Sequence, residues 1–116
     1  MVKELSDPRA PEVVRRWMNA PPPWLSIEWS AVPVVGGMPA RLNAGEVATI
    51  GLALHRDIRL VLLDERDARD EATRRGLAVA GTLRVLADAS LAGLLSLPDA
   101  FLRLQQTNFP RWPDSL

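Results

Sequence analysis

An α/β fold built on a parallel sheet is what this 116-residue chain predicts, and three observations carry that expectation. Residues 58–63 (IRLVLL) form a nearly unbroken apolar run of strand length. Helical patterns stand on either side of it, at 44–54 and 65–75. A second short apolar run, 77–80, follows directly after Gly76. Helix, strand, helix, strand at these spacings is the order that produces parallel strands joined by right-handed crossovers.

Taken in order, the chain opens with Val2 and Leu5 three residues apart, the end of a helix closed by Ser6-Asp7-Pro8. Pro11 suits the first position of a second helix, in which Val13, Val14, Trp17 and Met18 make an apolar stripe. Pro21-Pro22-Pro23 stops it. Residues 24–29 (WLSIEW) alternate apolar and polar and read as a strand near a sheet edge. Residues 30–42, with Pro33, Gly36, Gly37 and Pro39, form a loop.

Asn43 then caps a helix, with Glu46 three residues later in a capping-box pattern. Val47, Ile50, Gly51 and Leu54 set its buried stripe. The run 58–63 is apolar throughout, as in a strand covered on both faces. Asp64 ends that strand. The charged segment 65–75 is a mostly solvated helix closed by Gly76, and 77–80 is a short strand. Gly81-Thr82 turns into a helix whose buried side is marked by Leu83, Leu86, Ala87, Leu91 and Leu94. A last helix runs from about Pro98 to Gln106, and residues 107–116 are a tail.

Composition narrows the function. A chain of this length with 47% hydrophobic residues supports one domain with its own core, residues 1–116. Without cysteine there is no disulfide, thiolate metal site or cysteine nucleophile, and His55 is the only histidine. Any metal site is therefore built mainly from oxygen ligands, which suits magnesium or manganese. Fourteen acidic and fourteen basic residues exclude a strongly basic coat for nucleic acid, though not a local basic patch. No apolar run reaches a membrane span and residues 1–10 lack a signal-peptide core, so the expected location is the cytoplasm.

Carboxylates stand at two joints, Glu46 at the start of a helix and Asp64 at the end of a strand. In an open α/β sheet ligands bind at the carboxyl ends of the strands. Two acids from separate segments there could hold a divalent ion. Each also has a structural reading: Glu46 completes a capping box, and Asp64 caps the helix that follows it. His55 suits the closing turn of a helix. Trp17, Trp24 and Trp29 suit packing better than base stacking. Arg66, Arg69, Arg74 and Arg75 alternate with Asp67, Asp70 and Glu71, as on a solvated, ion-paired face.

Four stretches, in this order, resemble the PIN-domain nucleases, in a nucleic-acid-binding branch related to the VapC-type toxins. They are Val2-Lys3-Glu4-Leu5 with the SDPRAPEVVRRW segment at 6–17, Gly45-Glu46 opening its helix, Leu62-Leu63-Asp64-Glu65-Arg66 followed by Ala68-Arg69 and Ala72, and Val79-Ala80-Gly81-Thr82-Leu83. The resemblance implies a three-layer α/β/α fold with a parallel sheet, and covers nearly the whole chain. The family begins with a strand bearing an aspartate, then a helix and a second strand. This chain starts inside the next helix, so that portion has no counterpart here. At position 48, where the branch often has a second glutamate, the residue is Ala48.

The resemblance further implies a magnesium- or manganese-dependent ribonuclease, the toxin of a toxin–antitoxin pair. Its metal ligands would be Glu4, Glu46 and Asp64, with Glu65 and Asp67 as secondary candidates. Thr82 would hydrogen-bond a ligand carboxylate or the attacking water. RNA and an antitoxin protein are the implied partners, and homo-oligomerisation follows from a sheet short of a strand. With the first acid and the second glutamate missing, weakened or absent catalysis is expected. The alternative is a non-catalytic, degenerate module that binds nucleic acid or protein.

Overall fold

The computed structural model describes residues 5–28 and 35–109. Glu4, Trp29 and most of the expected first helix and final tail lie outside them. The chain divides into two compact units, residues 1–31 and 32–116.

The first unit contains α1, Glu12–Asn19, with Pro11 at its N-cap. None of its residues is buried, and Val13 and Trp17 of the expected apolar stripe are exposed. Residues 24–28 are not a strand, contrary to the alternating pattern. Alternation specifies two faces but not a neighbour to hydrogen-bond, and a strand needs both. Here Leu25 N–H donates to the Pro22 carbonyl at 3.0 Å, closing a turn after the proline run. The Trp24 ring lies against Trp17, with centroids 5.7 Å apart and planes tilted by 59°.

The second unit carries the sheet. Its described elements are α2 (Ala44–His55), β1 (Leu60–Leu62), α3 (Arg66–Arg74), β2 (Ala78–Ala80), α4 (Thr82–Leu91) and α5 (Leu97–Gln105). β1 and β2 pair in parallel, with Leu60, Val61 and Leu62 opposite Ala78, Val79 and Ala80. Parallel strands joined through α3 confirm the expected α/β class. α2 starts in the predicted capping box: Glu46 N–H donates to Asn43 Oδ1 at 2.8 Å, and Asn43 N–H donates to Glu46 Oε2 at 3.0 Å.

Val61 and Leu63, two apart on β1 and its extension, point into one apolar cluster. Ile50 and Ala53 of α2, Ala68 and Ala72 of α3, Leu42 and Leu77 complete it. Ile50 is fully enclosed. From α3 only the small Ala68 and Ala72 enter this apolar cluster.

The other face of β1 differs from expectation. Leu60 and Leu62 are 54% and 59% exposed, so the described residues cover the strand on one face only. An all-apolar strand announces two apolar faces, and here α2 and α3 both serve the same one. The stripe assigned to α4 is not buried either: Leu83, Leu86 and Ala87 are only half-buried. Leu91 and Leu94 are exposed because the helix stops at Leu91 and Gly93, at φ +76°, turns the chain away.

α3 closes in a Schellman motif. Gly76 at φ +85° lets Leu77 N–H reach the Ala72 carbonyl and Gly76 N–H the Thr73 carbonyl, both at 3.0 Å. That reversal delivers Leu77 to the core and the chain to β2. Within α3, Glu71 is buried yet charged. Arg74 and Arg75 both donate to it, the latter through Nε at 2.7 Å. These bonds hold its carboxyl below the usual range, Arg74 contributing most and Arg75 next. Arg75 also donates through Nη2 to the Gly36 carbonyl at 2.9 Å, fastening the loop before α2.

Candidate functional site

In a parallel pair the carboxyl ends of both strands lie along one edge. Asp64 leaves β1 at that edge, and Gly81-Thr82 leaves β2 beside it. Thr82 binds both Asp64 oxygens: its N–H donates to Oδ1 and its hydroxyl to Oδ2, each at 2.7 Å. The N-cap of α4 is Gly81, which has no side chain to offer the first turn, so Asp64 takes that part from the neighbouring strand. A carboxylate at a helix N-terminus is also stabilised by the helix dipole.

This revises the structural reading of Asp64. It caps α4, not the helix that follows it in sequence. The N-cap of α3 is Glu65, whose side chain makes no cap hydrogen bond.

Gly81 is buried where the two segments meet. A Cβ there would lie 2.8 Å from Arg69 Nη1 and 3.0 Å from Asp64 Oδ1. The absence of a side chain is what lets the Arg69 guanidinium lie near the Asp64 carboxylate. Around them is a pocket of about 340 Å³, lined by Asp64, Arg66, Arg69, Asp70, Gly81, Leu83, Arg84 and Phe109.

The arginines of α3 therefore divide between two faces. Residues 71, 74 and 75 are related by i, i+3 and i+4 and close on one another as an ion-paired group. Residues 66, 69 and 70 share a second face by the same spacing, and this face lines the pocket. The guanidinium groups of Arg66 and Arg69 make no hydrogen bond or ion pair with the described residues. Arg84 pairs with Asp88 one turn along α4 at 3.2 Å. The even alternation of charge on α3 hid this division, but sorting its residues by helical face would have found it.

Among the described residues, Glu46, Glu65 and Asp67 do not line that pocket. Glu46 is occupied, through Oε2, by its capping box. Asp67 is exposed and pairs with Arg41 at 3.4 Å, and Glu65 is exposed at the N-cap of α3. Glu4 is outside the described residues. Among the described residues no group of three acidic or histidine side chains is placed to hold a metal ion. Asp64 itself suits a hard cation, because each oxygen accepts one hydrogen bond and keeps lone-pair capacity. His55 is exposed in the last turn of α2, where a helix end favours positive charge. No helix among the described residues is long and apolar enough to cross a membrane.

No curated protein and no solved structure matches this chain. A family model described as a PIN domain matches residues 2–114. The match spans both the parallel β1–α3–β2 unit and the Asp64–Thr82 edge, and the chain belongs to the PIN-domain family, a nuclease-type α/β module.

Proposed function

We propose that the chain acts on RNA at the Asp64 edge, as a slow phosphodiester hydrolase that depends on magnesium or manganese. One observation supports this above the others. A carboxylate fixed by two bonds from Thr82 stands at the carboxyl edge of a parallel sheet, in a pocket whose other charged groups are mainly arginines. Carboxylate and guanidinium together match the needs of phosphoryl chemistry: an anionic group to hold a cation or water, and donors to orient phosphate oxygens.

Asp64 is the principal ligand in this proposal, with Glu46 at the opening of α2 as a further one. A divalent ion would supply an activated water and neutralise charge developing on phosphate. Thr82 would keep the Asp64 oxygens oriented, so that carboxylate rotation does not have to be frozen during the reaction. Activity is expected to be weak because Glu46 is held in its capping box and Asp67 by Arg41. The toxin role and the antitoxin partner implied by the resemblance rest on that same activity.

A second reading is a nucleic-acid-binding module without catalysis, supported by the arginines that line the pocket. Cleavage of single-stranded RNA in manganese, in magnesium and in EDTA separates the two. The hydrolase reading predicts slow, metal-dependent cleavage that falls to background in Asp64→Asn. Equal cleavage by wild type and variant would refute it. RNA binding with no cleavage under any condition would establish the second reading.

A further inference from the structure

The arginine face of the pocket supports a more specific assignment, which rests on the reading of this edge as a nucleic-acid site. Arg66 and Arg69 share one face of α3, line the pocket beside Asp64, and have no acidic partner among the described residues. Asp64 and Asp70 line the same pocket without ion-pairing to either arginine. A guanidinium not committed to a carboxylate is well matched to phosphate, because its planar donors pair with two oxygens at once. Asp64 is itself oriented by its two bonds to Thr82. Gly81 leaves the room that Arg69 occupies. Phe109 contributes an apolar face to the same pocket, and about 340 Å³ is on the scale of a small-ligand site.

We propose that Arg66 and Arg69 form a phosphate-binding subsite for a nucleic-acid strand, adjacent to Asp64 and independent of any metal ion, with Phe109 as the stacking face for the neighbouring base. The two arginines act as binding and positioning residues. They grip non-bridging oxygens and set the register of the strand, while Asp64 remains available for the cation. The order of assembly follows: the strand docks first through guanidinium contacts, and the metal affects turnover more than docking.

The test is titration of a single-stranded RNA hexamer, and separately of inorganic phosphate, into the full chain in EDTA, followed by NMR or calorimetry. Wild type should bind the hexamer without metal. Arg66→Ala/Arg69→Ala should weaken binding by roughly tenfold or more, the loss expected for at least one charge-assisted hydrogen bond. It should also reduce the slope of log K against log salt by about 1.4, for two phosphate contacts on a single strand. Phe109→Ala should weaken the hexamer and leave inorganic phosphate unchanged. An unchanged thermal transition in the double variant would exclude unfolding as the cause. Hexamer binding that requires metal, or that the double variant retains in full, would overturn the subsite. Manganese-dependent cleavage together with full binding by the double variant would refute this assignment and leave the hydrolase reading intact. Loss of binding in a chain that never cleaves would do the reverse.

Discussion

Thr82 holds Asp64 by both carboxylate oxygens, through its backbone N–H and its hydroxyl, each at 2.7 Å and across eighteen positions of sequence. The pair joins the ends of two parallel strands and caps α4 with a side chain from outside it. One carboxylate thus serves a structural purpose and fixes the geometry of the candidate site. Thr82→Val removes the hydroxyl bond and leaves the backbone bond. A loss of about 1.5–3 kcal/mol is expected, the range for a hydrogen bond to a charged group. Chemical denaturation measures it, and Thr82→Ser should restore most of the loss.

Two glycines distinguish conformation from space. Gly76 sits at φ +85° with nothing within 4 Å of a built Cβ, so Gly76→Ala meets only the left-handed penalty of roughly 1–2 kcal/mol. Gly81 has an ordinary φ of −103° but a crowded Cβ position. There alanine should leave stability within about 1 kcal/mol of wild type, because the flexible end of Arg69 can move aside and the unfolded chain loses freedom. It should nevertheless weaken RNA binding by displacing that guanidinium. Equal melting losses in the two variants would contradict this distinction.

Much of this arrangement was legible in the residues themselves. The capping box of Asn43 and Glu46, the stripe of Val47, Ile50 and Leu54, the strand around Val61 and the Gly76 stop all follow local rules, and all are present. What failed depended on neighbours. The alternation at 24–28 had no strand to pair with, and Leu60 and Leu62 had no second layer among the described residues. Asp64 was legible as a cap but not as a cap for α4, because that contact depends on β1 and β2 lying side by side. Arg66 and Arg69 were obscured by charges that alternate in sequence yet occupy different helical faces.

The capping box should carry a measurable share of the stability of the second unit. Asn43→Ala removes the oxygen that accepts from Glu46 N–H. A destabilisation of about 1 kcal/mol is expected, within the 0.5–2 kcal/mol range for such caps. A Glu46→Gln variant, which can still accept from Asn43 N–H, should lose less.

Glu71 gives the fold an acid-sensitive point. Its carboxyl is held below the usual range by Arg74 and then Arg75, so its contribution is present above the unfolded-state value and lost as pH falls through the lower folded value. Glu71→Gln should therefore be less stable than wild type at neutral pH. The gap should close as acid is added below about pH 4, near the unfolded glutamate value. Melting curves across pH 2–7 check the sign, and a gap that widened in acid would contradict it.

Ile50 is fully enclosed at the centre of the cluster beneath β1. Ile50→Ala should cost about 2–5 kcal/mol, and a smaller loss would mean that α2 collapses into the space left behind.

The central claim is that the Asp64–Thr82 edge is where the chemistry of this PIN domain takes place. Its most direct test is paramagnetic broadening of amide NMR signals by manganese at substoichiometric levels. The Thr82 amide donates directly to Asp64 and should broaden first, together with residues 64, 81 and 83. The effect should vanish in Asp64→Asn. Broadening centred on Glu65 and Asp67, or unaltered by Asp64→Asn, would contradict the claim.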